Sequence, residues 1–312
     1  MKVGLEVLLA ENHWLRRAPR YAEIRDLALR AEAMGFDSLW LYDHLLYRDA
    51  EGRPHGIWEC WTMLSALAEA TEHAEIGSLV ACTAFRNPAL LAKMAATLDE
   101  VSGGRFTLGL GAGWNAAEFV AFGLPFDHRV TRFEEALQII TALVREGQVA
   151  FQGTYHSTPG CEILPRGPRP GGQPILIGGF GPRMLRLVAR YADSWNGGYV
   201  AAPRDLDQLR AALADACTEV GRDPATLAIT AELKVAYPDL APPPPLFGDR
   251  YATGSADEMA ATLSSFAEAG FTHLMCTCIP STPQGLERLS ASLRAYRTTG
   301  TRDRPASAAA ET

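Results

Sequence analysis

The feature that most constrains this chain is an alternation in which eight short β-rich runs are each followed by a longer run of helical spacing. Strand-like runs fall at 3–9, 38–42, 76–82, 105–110, 174–177, 193–196, 227–235 and 272–278. Helical patterns cover 21–34, 58–70, 87–101, 131–145, 182–191, 206–220, 255–269 and 283–296. In the first of these, Ile24, Leu27, Ala28, Ala31 and Met34 fall near helical spacing, and Gly35 follows where a terminating glycine belongs. Asn87 and Pro88 supply the preferred N-cap and first helical residue of the third. Strands alternating with helices build either an open doubly wound sheet or a closed barrel. The count of eight, the near-even spacing and a length of 312 residues favour the barrel, since such folds take about 250 residues, more with insertions. The expected architecture is therefore α/β, a (β/α)8 TIM barrel with insertions in its connecting segments. One domain is expected over 1–298, with a polar, Ala/Thr-rich, disordered C-terminal tail at 299–312. The insertions are the Pro/Gly-rich stretch 151–172 and the stretch 237–250, which holds four consecutive prolines at 242–245; long loops of this kind often serve as lids.

Composition removes several partner classes. A net charge of −7 provides no basic surface for nucleic acid phosphates or an anionic membrane. No stretch approaches the roughly 20 apolar residues that a membrane span requires. The amino terminus meets Glu6 and Glu11 too early for a signal peptide, so a cytoplasmic protein is expected. Six cysteines are too sparse for a disulfide scaffold. Cys276 and Cys278 share one face of a strand and are expected to be buried thiols.

A barrel of this type carries its active site at the C-terminal ends of its strands. That rule selects Tyr42-Asp43-His44 after the second strand and Thr83-Ala84-Phe85-Arg86 after the third. It also selects Gly111-Ala112-Gly113-Trp114-Asn115 after the fourth and Gly178-Gly179-Phe180-Gly181-Pro182-Arg183 after the fifth. The last segment offers glycines followed by a helix N-terminus, which is either an anion site, with Arg183 able to add a charged contact, or a plain tight turn. The glycines of 109–113 lack dinucleotide-fingerprint spacing and suit a flat ring lying against the backbone. His44, beside a carboxylate at a strand end, suits proton transfer or a structural role. Asp43 either orients that imidazole or contacts a bound ring. Trp114 and Asn115 at the mouth, with Trp58, are expected to line a substrate pocket. No metal is expected, because the other histidines (His13, His55, His73, His128, His156 and His273) form no HxH or HExxH pattern.

The segments GFDSLWLYDH (35–44), IGSLVACTAFRNPALLAKMAATLDEVSGGRFTLGLGAGW (76–114), ILIGGFGPRMLRLVARYADSWN (175–196) and GSADEMAATLSSFAEAGFTHLM (254–275) together resemble the bacterial luciferase-like superfamily. The likeness is to its branch that uses the deazaflavin coenzyme F420. It implies that Asp43 and His44 lie beside the deazaflavin ring, with His44 as proton donor or acceptor. It implies that Leu79 and Val80 form a bulge backing the ring, that Gly111, Ala112 and Gly113 give backbone contacts to it, and that Gly178, Gly179, Phe180 and Gly181 form a phosphate loop. The glucose 6-phosphate-oxidising members carry an acid where Trp114 stands here, so sugar-phosphate oxidation is not expected. The resemblance implies hydride transfer between F420 and a small organic substrate. The alternatives are an FMN-dependent monooxygenase using reduced flavin and O2, or a flavin-binding protein without catalysis. A homodimer is expected, through helices of the first barrel half. The apolar residues Leu90, Leu91, Met94, Ala95 and Leu98 fit that contact or simple packing on the barrel.

Overall fold

The computed structural model describes residues 1–302 except 13, 50 and 245–249. His13, the last proline of the run at 242–245, and the tail from 303 onward lie outside the described residues. The first half of the chain gives β1 (Lys2–Glu6), α1 (Tyr21–Ala33), β2 (Ser38–Leu41), the hairpin of β3 (Tyr47–Arg48) with β4 (Pro54–His55), and α2 (Cys60–Ala70). It continues with β5 (Glu75–Ser78), β6 (Ala81–Cys82), α3 (Pro88–Val101), β7 (Phe106–Gly111), α4 (Ala116–Ala121) and α5 (Arg129–Arg145). The second half gives the hairpin of β8 (Gln148–Gln152) with β9 (Ser157–Glu162), then β10 (Ile175–Gly178), α6 (Pro182–Tyr191), β11 (Ser194–Tyr199) and α7 (Asp207–Glu219). The last elements are β12 (Ala228–Ala236), α8 (Ala256–Glu268), β13 (His273–Ile279) and α9 (Pro283–Arg302).

Eight strands, all paired in parallel, follow the order β1-β2-β5-β7-β10-β11-β12-β13, and β13 pairs back onto β1. The sheet therefore closes, and the fold is the expected (β/α)8 barrel. Local signals behave as their chemistry requires. Asn87 accepts from the N–H groups of Ala89 and Leu90 at 2.9 and 3.2 Å, and Gly35 takes φ +86 just beyond α1. Cys276 and Cys278 are buried and free.

Three boundaries differ from expectation. The first strand stops at Glu6, because the N–H groups of Leu9 and Ala10 donate to the Tyr42 hydroxyl (2.7 and 2.9 Å) rather than to a strand. The stretch 151–172 is not wholly irregular. Its first part pairs as β8–β9, an edge hairpin that accommodates Pro159 and Gly160. The last helix continues through Arg302, past the expected boundary at 298.

The main core lies between the strands and the surrounding helices. A second, smaller cluster fills the barrel interior: Trp40, Leu79, Leu176 and Met275, with Val80 packed against them. Gly4 and Gly77 leave room for the Trp40 indole, since a Cβ on either would lie 2.9 Å or 2.3 Å from it. The indole N–H donates to Ser38 Oγ (2.7 Å), which in turn bonds His273 Nε2 (2.7 Å). Above this plug the interior divides. The side formed by β5–β7–β10 presents Leu79, Val80 and glycine backbone, whereas β1, β11, β12 and β13 present Glu6, Tyr199, Glu232, Lys234 and Thr277.

Candidate active site

Both residues of the Asp43-His44 pair sit where β2 ends, but they serve different partners. Asp43 is buried and accepts from Arg86 Nη1 (2.6 Å), Arg86 Nη2 (3.1 Å) and the Cys82 N–H (3.0 Å). Arg86 also donates to Glu59 (2.6 Å), the residue that caps α2. Burial raises the Asp43 carboxyl above its ordinary range, with Arg86 and the Cys82 N–H opposing that rise. Burial alone would lower the Arg86 guanidinium, but Asp43 and Glu59 outweigh it and raise it. Asp43 thus fastens the end of β2 to the third strand and to α2; the bidentate geometry suits such a buried anchor.

His44 is oriented instead by Glu118. Its Nδ1 lies 3.0 and 3.2 Å from the two carboxylate oxygens. Glu118 is almost fully buried on α4 and also accepts from the N–H groups of Leu45 (2.9 Å) and Leu46 (3.4 Å). Asn115, which begins the same helix, donates to the Leu46 carbonyl (2.9 Å). These bonds lock α4 to the segment following β2. A carboxylate that accepts from backbone N–H groups also accepts from Nδ1–H, so in the neutral imidazole Nε2 carries the lone pair. The imidazole lies between Tyr47 (ring centroids 4.7 Å apart) and Trp114 (5.3 Å, edge-on). Trp114 is 68% exposed, which puts it at the open mouth.

Next to this dyad the third strand breaks at Leu79-Val80, joined by a cis peptide bond, and resumes as β6. The break falls at the two residues for which the resemblance implies a bulge. The Val80 side chain lies over glycine backbone: a Cβ on Gly111 would come within 2.6 Å of it, and one on Gly178 within 3.5 Å. Side chains at those positions would fill the face that the glycines keep flat. Gly113 has φ +75, and a Cβ there would strike Cys82 and Phe119 at 2.7 Å, so it shapes the turn from beneath; Ala112 is partly buried beside it. Gly181 is the N-cap of α6, with Pro182 in the first turn and no side chain capping the N–H groups. A Cβ on Gly179 would strike Met184, whereas Gly181 faces open space. Phe180 is half exposed and lies against Gly198. These features fit a flat ring against Val80, Gly111 and Gly178 and an anionic group at the start of α6.

The other expected residues are more scattered. Arg183 points toward α5, where it pairs with Glu134 and donates to Thr131 Oγ1 (2.9 Å). Trp58 stands on the rim above β1, with its indole N–H on the Pro19 carbonyl (2.6 Å) and its backbone N–H 3.4 Å from the Leu9 carbonyl. Sequence reasoning gave no role to Glu118, Tyr47 or Arg86. Arg86 stood in a segment already selected as a strand end, which was the available signal. Glu118 lies three residues beyond the mouth segment ending at Asn115, and a six-residue helix is too short to show from its pattern which way such a residue points. A cavity of about 710 Å³ lies elsewhere, between α7 and the N-terminal ends of β12 and β13, at the opposite end of the barrel. Among the described residues no group of three or more His, Cys, Asp or Glu could hold a metal ion, and no helix is long and apolar enough to cross a membrane.

Comparison with known proteins places the chain in a family. The chain is 35% identical over 226 residues to the F420-dependent glucose-6-phosphate dehydrogenase of Microbacterium testaceum, covering 69% of this chain and 64% of that one. It thus spans just under two thirds of the length of that relative. Among solved structures, an F420-dependent secondary alcohol dehydrogenase in complex with an F420-acetone adduct superposes with a TM-score of 0.78 at 23% identity, over 95% of this chain and 99% of the other. A monooxygenase from Streptomyces bottropensis superposes with a TM-score of 0.76 at 20% identity, over 96% and 98%. Residues 1–240 match the luciferase-like monooxygenase family, and the chain belongs to that family.

Proposed function

We propose that this chain is an F420-dependent oxidoreductase that interconverts a small alcohol and the corresponding carbonyl compound. The observation that carries this reading is the His44–Glu118 dyad, set at the barrel mouth beside the flat wall of Val80, Gly111 and Gly178. Curated relatives that use F420 support the choice of cofactor. When bound, the deazaflavin supplies the carbon that accepts or donates a hydride. The protein's own part is to bind, orient and move a proton. Leu79, Val80, Gly111, Ala112 and Gly113 would hold the ring, and Gly178 to Gly181 with the α6 N–H groups would hold phosphate, with Arg183 exchanging Glu134 for that anion. His44 Nε2 takes the hydroxyl proton of an alcohol, or returns one to a carbonyl oxygen. Glu118 keeps the imidazole in the required tautomer and offsets the charge it gains. Tyr47 and Trp114 wall the position beside His44 with aromatic surface, which favours an uncharged substrate over a sugar phosphate.

The test is an anaerobic assay with oxidised F420 and a panel of small secondary alcohols, following loss of the cofactor's absorbance. Turnover by the wild type and its loss in His44→Ala support the reading. Substrate conversion that occurs only with reduced FMN and O2 would assign the protein to oxygenase chemistry instead.

A further inference from the structure

The helices around the barrel form a ring that is loose at one place. Each packs on the next from α8 through α9, α1, α2, α3, α5 and α6 to α7, but among the described residues no comparable packing joins α7 to α8. The cavity of about 710 Å³ lies in that gap, at the N-terminal ends of β12 and β13. Its volume is within the roughly 300–1,000 Å³ typical of small-molecule sites. Arg210, Ala214 and Cys217 line it from one face of α7, at positions i, i+4 and i+7, with Ala211 beside them. The two alanines are too short to fill the space. Opposite them, Ile229 faces outward from β12 yet is only partly buried. A parallel sheet is normally covered on both faces, so Ile229 marks a gap in that cover. Arg210 reaches across the opening. Its guanidinium lies 5.1 Å from the centroid of the Phe271 ring, and a Cβ on Gly270 would come 3.7 Å from its Nη2. Among the described residues no carboxylate pairs with it. A guanidinium over a ring uses its face, and its N–H donors, which lie in its plane, stay open to another acceptor.

We propose that this cavity is a second binding site, which takes a small monocarboxylate with an apolar tail. The carboxylate accepts two N–H bonds from Arg210, and the tail lies along Ala211, Ala214, Leu227 and Ile229. The chemistry of the lining selects this class. A neutral apolar molecule would leave the guanidinium without an acceptor. An amine would meet its positive charge. Asp207, the acid of the lining, is exposed at the rim, where water screens it from either ligand. A phosphate dianion would find one guanidinium for two charges. The site lies at the opposite end of the barrel from His44 and does not rest on the function proposed above.

Isothermal titration of the full-length, cofactor-free protein with sodium octanoate tests the site, with octan-1-ol and octylamine as controls of equal chain length. The expected result is saturable, sub-millimolar binding of octanoate, with both controls weaker by at least about tenfold, the usual effect of losing a hydrogen bond to a charged group. Arg210→Met keeps an apolar stem over Phe271 and removes the charge, and should weaken octanoate to the same extent. Ala214→Trp fills the slot and should abolish binding. Circular dichroism confirms that each variant is folded. No saturable binding by the wild type, equal affinity for octanoate and octan-1-ol, or unchanged affinity in Arg210→Met overturns the proposal. So does binding retained in Ala214→Trp, which would place octanoate elsewhere on the protein. Because no F420 is present, such a failure is distinct from a failure of the F420 reading.

Discussion

His44 takes its orientation from Glu118, 74 positions along the chain, while its sequence neighbour Asp43 is occupied by Arg86. The two acids around the histidine therefore differ in what their loss does. His44→Ala is expected to keep its cofactor affinity and lose turnover by about 10²–10⁴-fold, the usual contribution of a general acid or base. Glu118→Gln keeps the shape of the side chain but removes its charge, and should fall between wild type and His44→Ala, with the loss in kcat rather than in KM. Steady-state kinetics on whichever alcohol the anaerobic panel identifies checks both, and near-native kcat in His44→Ala would reduce the histidine to part of the wall. The position of Asp43 and His44 at a strand end was legible in the sequence, because the run SLWLY before them is plainly a strand. Their division of labour was not, since it depends on contacts with α4 and with the loop after β6 that no local spacing encodes.

At the scale of elements, the site depends on where strands leave out side chains. Gly109, Gly111 and Gly181 all lie in segments that sequence reasoning marked as glycine-rich, yet their surroundings differ sharply. A Cβ on Gly109 would lie 1.9 Å from the Ser78 carbonyl oxygen, so backbone must move. Gly109→Ala should therefore destabilise the barrel by at least the ~1–3 kcal/mol typical of overpacking. Gly111→Ala would meet only the Val80 methyl, at 2.6 Å, and should cost less stability while weakening cofactor binding. Gly181→Ala finds open space and an ordinary φ of −74, so its melting temperature should stay near that of the wild type. Thermal melts paired with cofactor titrations rank the three, and equal destabilisation by Gly109→Ala and Gly181→Ala would contradict the packing described. The helices and barrel strands were readable because each repeats a period over many residues. The hairpins β3–β4 and β8–β9 were not, because each is built from strands of two to six residues, one of the two carrying Pro, which are too short to establish a period.

Over the whole molecule, closure of the barrel buries His273 beneath Trp40, and burial lowers its pKa to about 3. An unfolded chain restores the ordinary histidine value near 6.5 and so binds one more proton between pH 6.5 and 3. Stability from this residue is fully present above about pH 6.5 and is lost as pH falls through that window, by about 2 kcal/mol between pH 7 and pH 5. Denaturant unfolding at the two pH values should show the wild type losing about 2 kcal/mol more than His273→Gln; equal losses would mean that His273 is not held neutral. Of the five residues considered for a dimer contact, Leu91, Ala95 and Leu98 are buried against the barrel, and Leu90 is 55% exposed. We still expect a homodimer, with Leu90 rather than the buried three at the contact, and a monomer in light scattering at micromolar concentration would remove it. Eight βα repeats made the barrel itself readable from the sequence, but its polar floor was not, because Glu6, Tyr199, Glu232 and Thr277 meet only once the sheet closes. A deazaflavin site at the mouth is tested by titrating the purified protein with F420 and, separately, with FMN, followed by fluorescence. Saturable quenching of F420 at micromolar or lower concentration and weaker binding of FMN are expected; FMN retained through purification, with no change in F420 fluorescence, would rule the deazaflavin site out.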